Sequence, residues 1–84
     1  MRFNSQASET ATLIEIVAED RPGLLYDLSR QISEAGCSID VVLIDTEAHK
    51  AIDVFYVTRD GQKLHPGEEQ ALHQKLLDAG RPLR

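Results

Sequence analysis

Tryptophan is absent from this 84-residue chain, and phenylalanine and tyrosine occur only twice each. The stacked aromatic platform of an RNA-reading sheet is therefore excluded; Phe55 and Tyr56 are neighbours and point to opposite faces of any strand. Basic residues are few: nine Lys and Arg against fourteen Asp and Glu leave a net charge of -5. The nine are scattered singly, so no phosphate-binding stripe exists and nucleic acid is excluded as a partner. One cysteine, Cys37, rules out an intrachain disulfide framework and the paired thiolates of a metal chaperone. It reads as a buried or interfacial thiol in a reducing compartment. No apolar run approaches the roughly 20 residues of a membrane span. The opening Met1-Arg-Phe-Asn-Ser lacks a secretory apolar region. A cytoplasmic module without membrane contact is expected.

Catalytic and metal-binding sets are missing too. His65, Glu69 and His73 recur at four-residue spacing, but Pro66 pushes His65 off the helix and no third histidine or cysteine completes a site. They read as a solvated face, and His49 as an exposed turn residue. No nucleophile–base pair, carboxylate pair or phosphate-cradling loop stands out. The expectation is a non-enzyme with no metal and no cofactor.

What is there centres on Glu15-Ile-Val-Ala-Glu-Asp20-Arg-Pro-Gly-Leu-Leu-Tyr-Asp-Leu28. Ile14, Ile16 and Ala18 alternate with Leu13, Glu15 and Val17, a strand pattern over Thr12–Glu19. Then Leu24, Leu25, Leu28, Ile32 and Ala35 follow at helical spacing. Between them Asp20 reads as the helix cap, Pro22 as the first helical residue, and Gly23 as a point where another molecule can approach the backbone. A helix start presents unpaired N–H groups and partial positive charge, which suits a carboxylate.

The rest of the chain completes one small domain spanning residues 1–84. A chain this short buries only about 60–65 % of its unfolded surface, so its core is thin. Met1–Asn4 is an edge strand or a frayed end, and residues 5–10 are a connector. The first helix runs from Pro22 to about Ala35, stopped by Gly36. Strands at Ile39–Thr46 and Ala51–Thr58 flank Glu47-Ala-His-Lys50 and form a hairpin. Asp60-Gly61 marks a turn. A second helix covers Pro66–Ala79, stopped by Gly80 and Pro82, with Leu72, Leu76 and Ala79 as its stripe. Residues 81–84 are a tail too short for a strand. The order βαββα with both helices on one face of an antiparallel sheet is an α+β, ferredoxin-like sandwich. Its usual last strand is absent or replaced by Met1–Asn4. The second long strand is apolar on both sides, with Ile39, Val41 and Leu43 against Val42 and Ile44, which points to an association surface.

Asp20-Arg-Pro-Gly-Leu-Leu25, Ala35-Gly36, Ser38-Ile39 and Ala51-Ile-Asp-Val-Phe-Tyr-Val57 together resemble an ACT domain. More narrowly, the chain is similar from Phe3-Asn4 to Leu64 to the C-terminal ACT domain of bacterial PII uridylyltransferase/uridylyl-removing enzymes. The resemblance implies a regulatory module for a small effector, usually an amino acid; in those enzymes it is glutamine, which reports nitrogen status. It also implies a homodimer, or pairing with another ACT domain, with ligand between the strand-to-helix loop of one copy and the second strand of another. By position the loop side is Asp20, Arg21, Pro22, Gly23 and Leu24, and the strand side is Ser38 and Ile39. Gly23 and Leu24 amides would hold the ligand's carboxylate, Asp20 its ammonium, and Ser38 its side chain; Arg21 also reads as a solvated charge. Two departures from the family pattern are Ser38, where asparagine is common, and Ala48, where glycine is usual. The competing readings are a ligand-free dimerisation or protein-interaction module of the same fold, and an unrelated ferredoxin-like enzyme.

Overall fold

A computed structural model describes residues 1–79. The elements are β1 (Arg2–Asn4), β2 (Thr12–Glu19), α1 (Leu24–Glu34), β3 (Ser38–Glu47), β4 (Lys50–Thr58) and α2 (Pro66–Ala79). The four strands form an antiparallel sheet in the order β1-β2-β4-β3. The short N-terminal strand thus takes the edge beside β2, pairing Arg2 with Glu15 and Asn4 with Leu13. Residues 80–84, on which the helix stop at Gly80 and Pro82 and the tail were expected, lie outside the described residues.

Strand alternation decides which side chains meet the helices. Thr12, Ile14 and Ile16 of β2 and Ala51, Phe55 and Val57 of β4 are buried on one face. Leu24, Leu28 and Ile32 of α1 and Leu72 and Leu76 of α2 close over them in a single cluster. Both helices therefore sit on one face, a ferredoxin-like α+β fold as the residue pattern implied. The Thr12 hydroxyl accepts the Leu64 N–H at 3.0 Å and ties the loop before α2 to the sheet.

Local signals account for the boundaries. Gly36, with φ 83°, ends α1 while its N–H bonds Ser33 O and the Cys37 N–H bonds Ile32 O, the paired bonds of a Schellman stop. Asp60 and Gly61 both have positive φ, and Arg59 and Gln62 exchange two backbone bonds across them. In α2 the Glu68 carboxylate reaches back to accept the His65 N–H at 2.9 Å, half of a capping box.

The arrangement of β3 differs from simple alternation. Ile39 pairs with Val57 and Val41 with Tyr56, so Asp40 is a bulge. The extra residue shifts the phase, placing Ile39 with Val42 and Ile44 on the helix side and leaving Val41 and Leu43 on the other. A bulge has no signature in a run of apolar residues, so periodicity alone put Ile39 on the wrong face. As the outer strand, β3 leaves Val41, Val42, Leu43 and Ile44 exposed, Leu43 at 54 % and Ile44 at 59 %.

Candidate functional site

The corner between β2 and α1 is built by a turn rather than by a side-chain cap. Arg21 O accepts the Leu24 N–H at 3.2 Å, and Gly23 between them has φ 80° and ψ 0°. Those angles are the second central position of a type II turn, with Pro22 in the first, where its ring favours the required φ. Gly23 is then the cap residue and α1 starts at Leu24, two residues later than a first helical position at Pro22 would place it. Asp20 does not cap the helix. Its N–H instead bonds His49 O at 2.8 Å and fastens the corner to the β3–β4 hairpin.

This turn decides which amides remain. The Leu24 N–H is consumed by Arg21, and the Asp27 N–H bonds Gly23 O at 2.9 Å. Among the described residues the N–H groups of Gly23, Leu25 and Tyr26 have no hydrogen-bond partner. Three donors at the positive end of an 11-residue helix suit a carboxylate. The expected Gly23–Leu24 pair of donors is thus replaced by Gly23 with Leu25 and Tyr26.

Arg21 is not the solvated charge that its place in a polar turn suggests. Its side chain is 15 % exposed and runs across to α2, donating to Asp27 Oδ2 at 3.0 Å and to Ala79 O at 2.6 Å. Its Nε is buried with no partner among the described residues. Asp20, Pro22 and Gly23 are exposed around the turn, and Leu24 is buried in the core.

Ser38 and Ile39 are elsewhere. Ser38 pairs with Thr58 at one end of β3, whereas Glu47 at the other end pairs with Lys50 beside the corner. Ten residues of strand separate the two groups by roughly 30 Å. Within one chain the loop half and the strand half of the candidate site stand at opposite ends of the sheet.

Asp53 escaped attention in the sequence because it sits inside an apolar run. It is on the helix face, 2 % exposed, with no hydrogen bond or ion pair. Burial, and after it the Asp20 charge, push its carboxyl above the ordinary 3.8. A charged residue in phase with Ala51, Phe55 and Val57 was the signal available.

The other sets are quiet. No group of three or more His, Cys, Asp or Glu able to hold a metal occurs among the described residues. His73 stacks obliquely on Phe3 with centroids 5.6 Å apart, so it joins β1 to α2 rather than standing in solvent. Cys37 is buried, as its place after a helix stop suggested, and burial pushes its thiol up. A cleft of about 240 Å³ beside it is lined by Arg59, Glu68 and Lys75, with Arg59 paired to Glu68 at 3.0 Å. No helix among the described residues is long and apolar enough to cross a membrane.

Comparison with known proteins agrees with this fold. The family model of the ACR9-like, ACT-like domain matches residues 1–84. The chain belongs to the ACT-like domain family. It is 46 % identical over 79 residues to the bifunctional uridylyltransferase/uridylyl-removing enzyme of Phenylobacterium zucineum. It is 43 % identical over 80 residues to that of Azospirillum brasilense. Each alignment takes in 92 % of this chain and 8 % of the relative. The enzyme of the same name from Streptomyces coelicolor is 43 % identical over 65 residues, 77 % of this chain. The chain thus corresponds to the ACT-like regulatory domain of these enzymes and spans about 8 % of their length.

Proposed function

We propose that this ACT-like domain senses an amino acid, with glutamine the first candidate, and works in the cytoplasm as a pair that regulates a uridylyltransferase involved in nitrogen control. The observation that carries the reading is the relation between the open β3 edge and the corner. If two β3 edges pair antiparallel about a two-fold axis, the Ser38 end of one strand comes to the Glu47 end of the other. That end is where Asp20 is fastened to the hairpin. The second copy's Ser38 and Ile39 would then arrive beside the free amides of Gly23, Leu25 and Tyr26, and one pairing would complete two sites. The exposed Val41 to Ile44 stretch would be covered in the same step.

The relatives' name gives the regulated activity its class, and the domain's small share of their length fits a sensor attached to a larger enzyme. Ser38 favours the second reading, a pairing module without ligand, because one hydroxyl recognises less than the amide common in the family. Thermal unfolding with and without each amino acid, alongside light scattering, separates the two. A ligand at 100 times its dissociation constant adds about 2.7 kcal/mol to the state that binds it. A pair that no amino acid stabilises leaves the second reading, and a chain that is always single removes both.

A further inference from the structure

The face of the sheet turned away from the helices is apolar and open. Leu13, Tyr56 and Val41 make one row across β2, β4 and β3, and Val17 and Ile52 make another beside Asp45. Val54 fills the middle, between Glu15 and Leu43. Val17, Val41 and Leu43 are exposed because both helices lie on the opposite side. A sheet with one face in water carries mostly polar groups on that face, whereas a sheet apolar on both faces packs the second against another sheet.

Size decides what can cover it. Three long strands at about 4.8 Å spacing, with the eight residues of β2 for length, make a face of about 400 Å². Two single chains stacked there bury about 800 Å² in total, short of the roughly 1,000 Å² that a specific contact needs. Pairing at the β3 edge doubles the face. Two pairs then bury about 1,600 Å², the usual size of a stable interface.

Charge and symmetry agree on the direction. At the hairpin end the strands carry Glu19, Asp45 and Glu47 with Lys50 alone against them, all in phase with the open face. At the other end, beside Ser38 and Thr58, they carry only Asp40. Faces stacked with like ends together would set one acidic end on the other, and reversing one face avoids this. A pair joined by antiparallel β3 edges has its two-fold axis perpendicular to the sheet. A second pair closing on its face adds two-fold axes parallel to the sheet, and the axis across the strands lays each chain on a copy with its ends reversed.

We infer that two β3-paired dimers stack through these open faces into a closed tetramer. The inference rests on the pairing proposed above and adds a second contact, which pairing alone makes large enough. Sedimentation equilibrium of the full chain over a range of concentrations tests it. The wild type should pass from dimer to tetramer. Val17→Lys, on β2 and away from the β3 edge, should remain a dimer at every concentration, with the circular dichroism of the wild type. Val54→Thr, which keeps the branched shape at the centre of the face, should weaken the tetramer if Val17→Lys does not fold. Gln74→Lys makes the same change of charge on the exposed side of α2 and should leave the tetramer intact.

A wild type that stops at the dimer overturns the inference, leaves pairing in place and frees the face for another partner. A tetramer that survives Val17→Lys, or one that Gln74→Lys also splits, overturns it too. So does a dimer that Val17→Lys reduces to single chains, because the face then pairs without the edge. A wild type that is single at every concentration removes the pairing itself and this inference with it.

Discussion

The guanidinium of Arg21 donates to the backbone carbonyl of Ala79 at 2.6 Å, across 58 positions of sequence. The bond joins the turn that begins α1 to the end of α2, where a cation meets the negative end of the helix dipole. Asp27 holds the same guanidinium from the first turn of α1. Removing the side chain with Arg21→Ala should destabilise the fold by about 1.5–3 kcal/mol, the range for hydrogen bonds to charged groups. Arg21→Lys should recover only part of this: Nη2 makes both of these bonds while Nη1 donates to Pro22 O at 3.3 Å, and an ammonium has no second nitrogen for that third acceptor. Urea unfolding of the three chains checks the order.

Two positions with left-handed backbone should respond in opposite directions. A Cβ at Gly23 would meet nothing within 4 Å, so Gly23→Ala tests conformation alone. With φ at 80° it should cost about 1–2 kcal/mol. Ala48 already sits at φ 54° in the β3–β4 hairpin. Ala48→Gly should therefore stabilise the chain, by about 1 kcal/mol after the greater flexibility of unfolded glycine is set against the relief. Denaturant midpoints measure both.

Leu43 and Ile44 point to opposite sides of an outer strand and are both exposed. Leu43→Lys together with Ile44→Lys should leave the stability of the single chain within about 1 kcal/mol of wild type. The same pair of charges should abolish association. Sedimentation equilibrium reads the second effect and circular dichroism the first. Association that persists in the double variant would place the contact on another surface.

Acid should act on two carboxylates with opposite sign. The Asp53 carboxyl is raised above 3.8, chiefly by burial, so the folded chain binds its proton more tightly than the unfolded chain does. Stability from this group is greatest below 3.8 and falls as pH rises through the folded value. Glu68 is lowered from 4.5, first by the His65 N–H and also by Arg59, so its contribution is full above 4.5 and is lost as pH falls through the folded value. Asp53→Asn should flatten the first slope and Glu68→Gln the second. Unfolding curves collected from acid to neutral pH measure both slopes.

Most of the architecture was legible because it rests on local rules. Period-two burial in β2 and β4, the Gly36 stop and the Asp60-Gly61 turn are each written in a few consecutive residues. The misreadings share a cause. Asp20 looked like a cap because its type and place fit one, yet Pro22 and Gly23 together favour a type II turn that supplies the cap from the backbone. Arg21 looked free because its acceptor at Ala79 is 58 residues away, beyond any sequence window. Ile39 was placed on the wrong face because a bulge alters phase without altering composition. The turn at Pro22 and Gly23 is written in two consecutive residues, and Asp53 showed in the sequence only as a charge in phase with Ala51, Phe55 and Val57; that it has no partner appears once the helices are packed.

The three-residue β1 gives this domain a directional entrance. Chain arriving at Arg2 lies three strand spacings from β3, roughly 14 Å across the sheet. Whatever is tethered at that entrance hangs from the far margin, with α2 beside it through Phe3 and His73. A bulky attachment there leaves the open β3 edge clear, whereas a loop lengthened between β3 and β4 would crowd it.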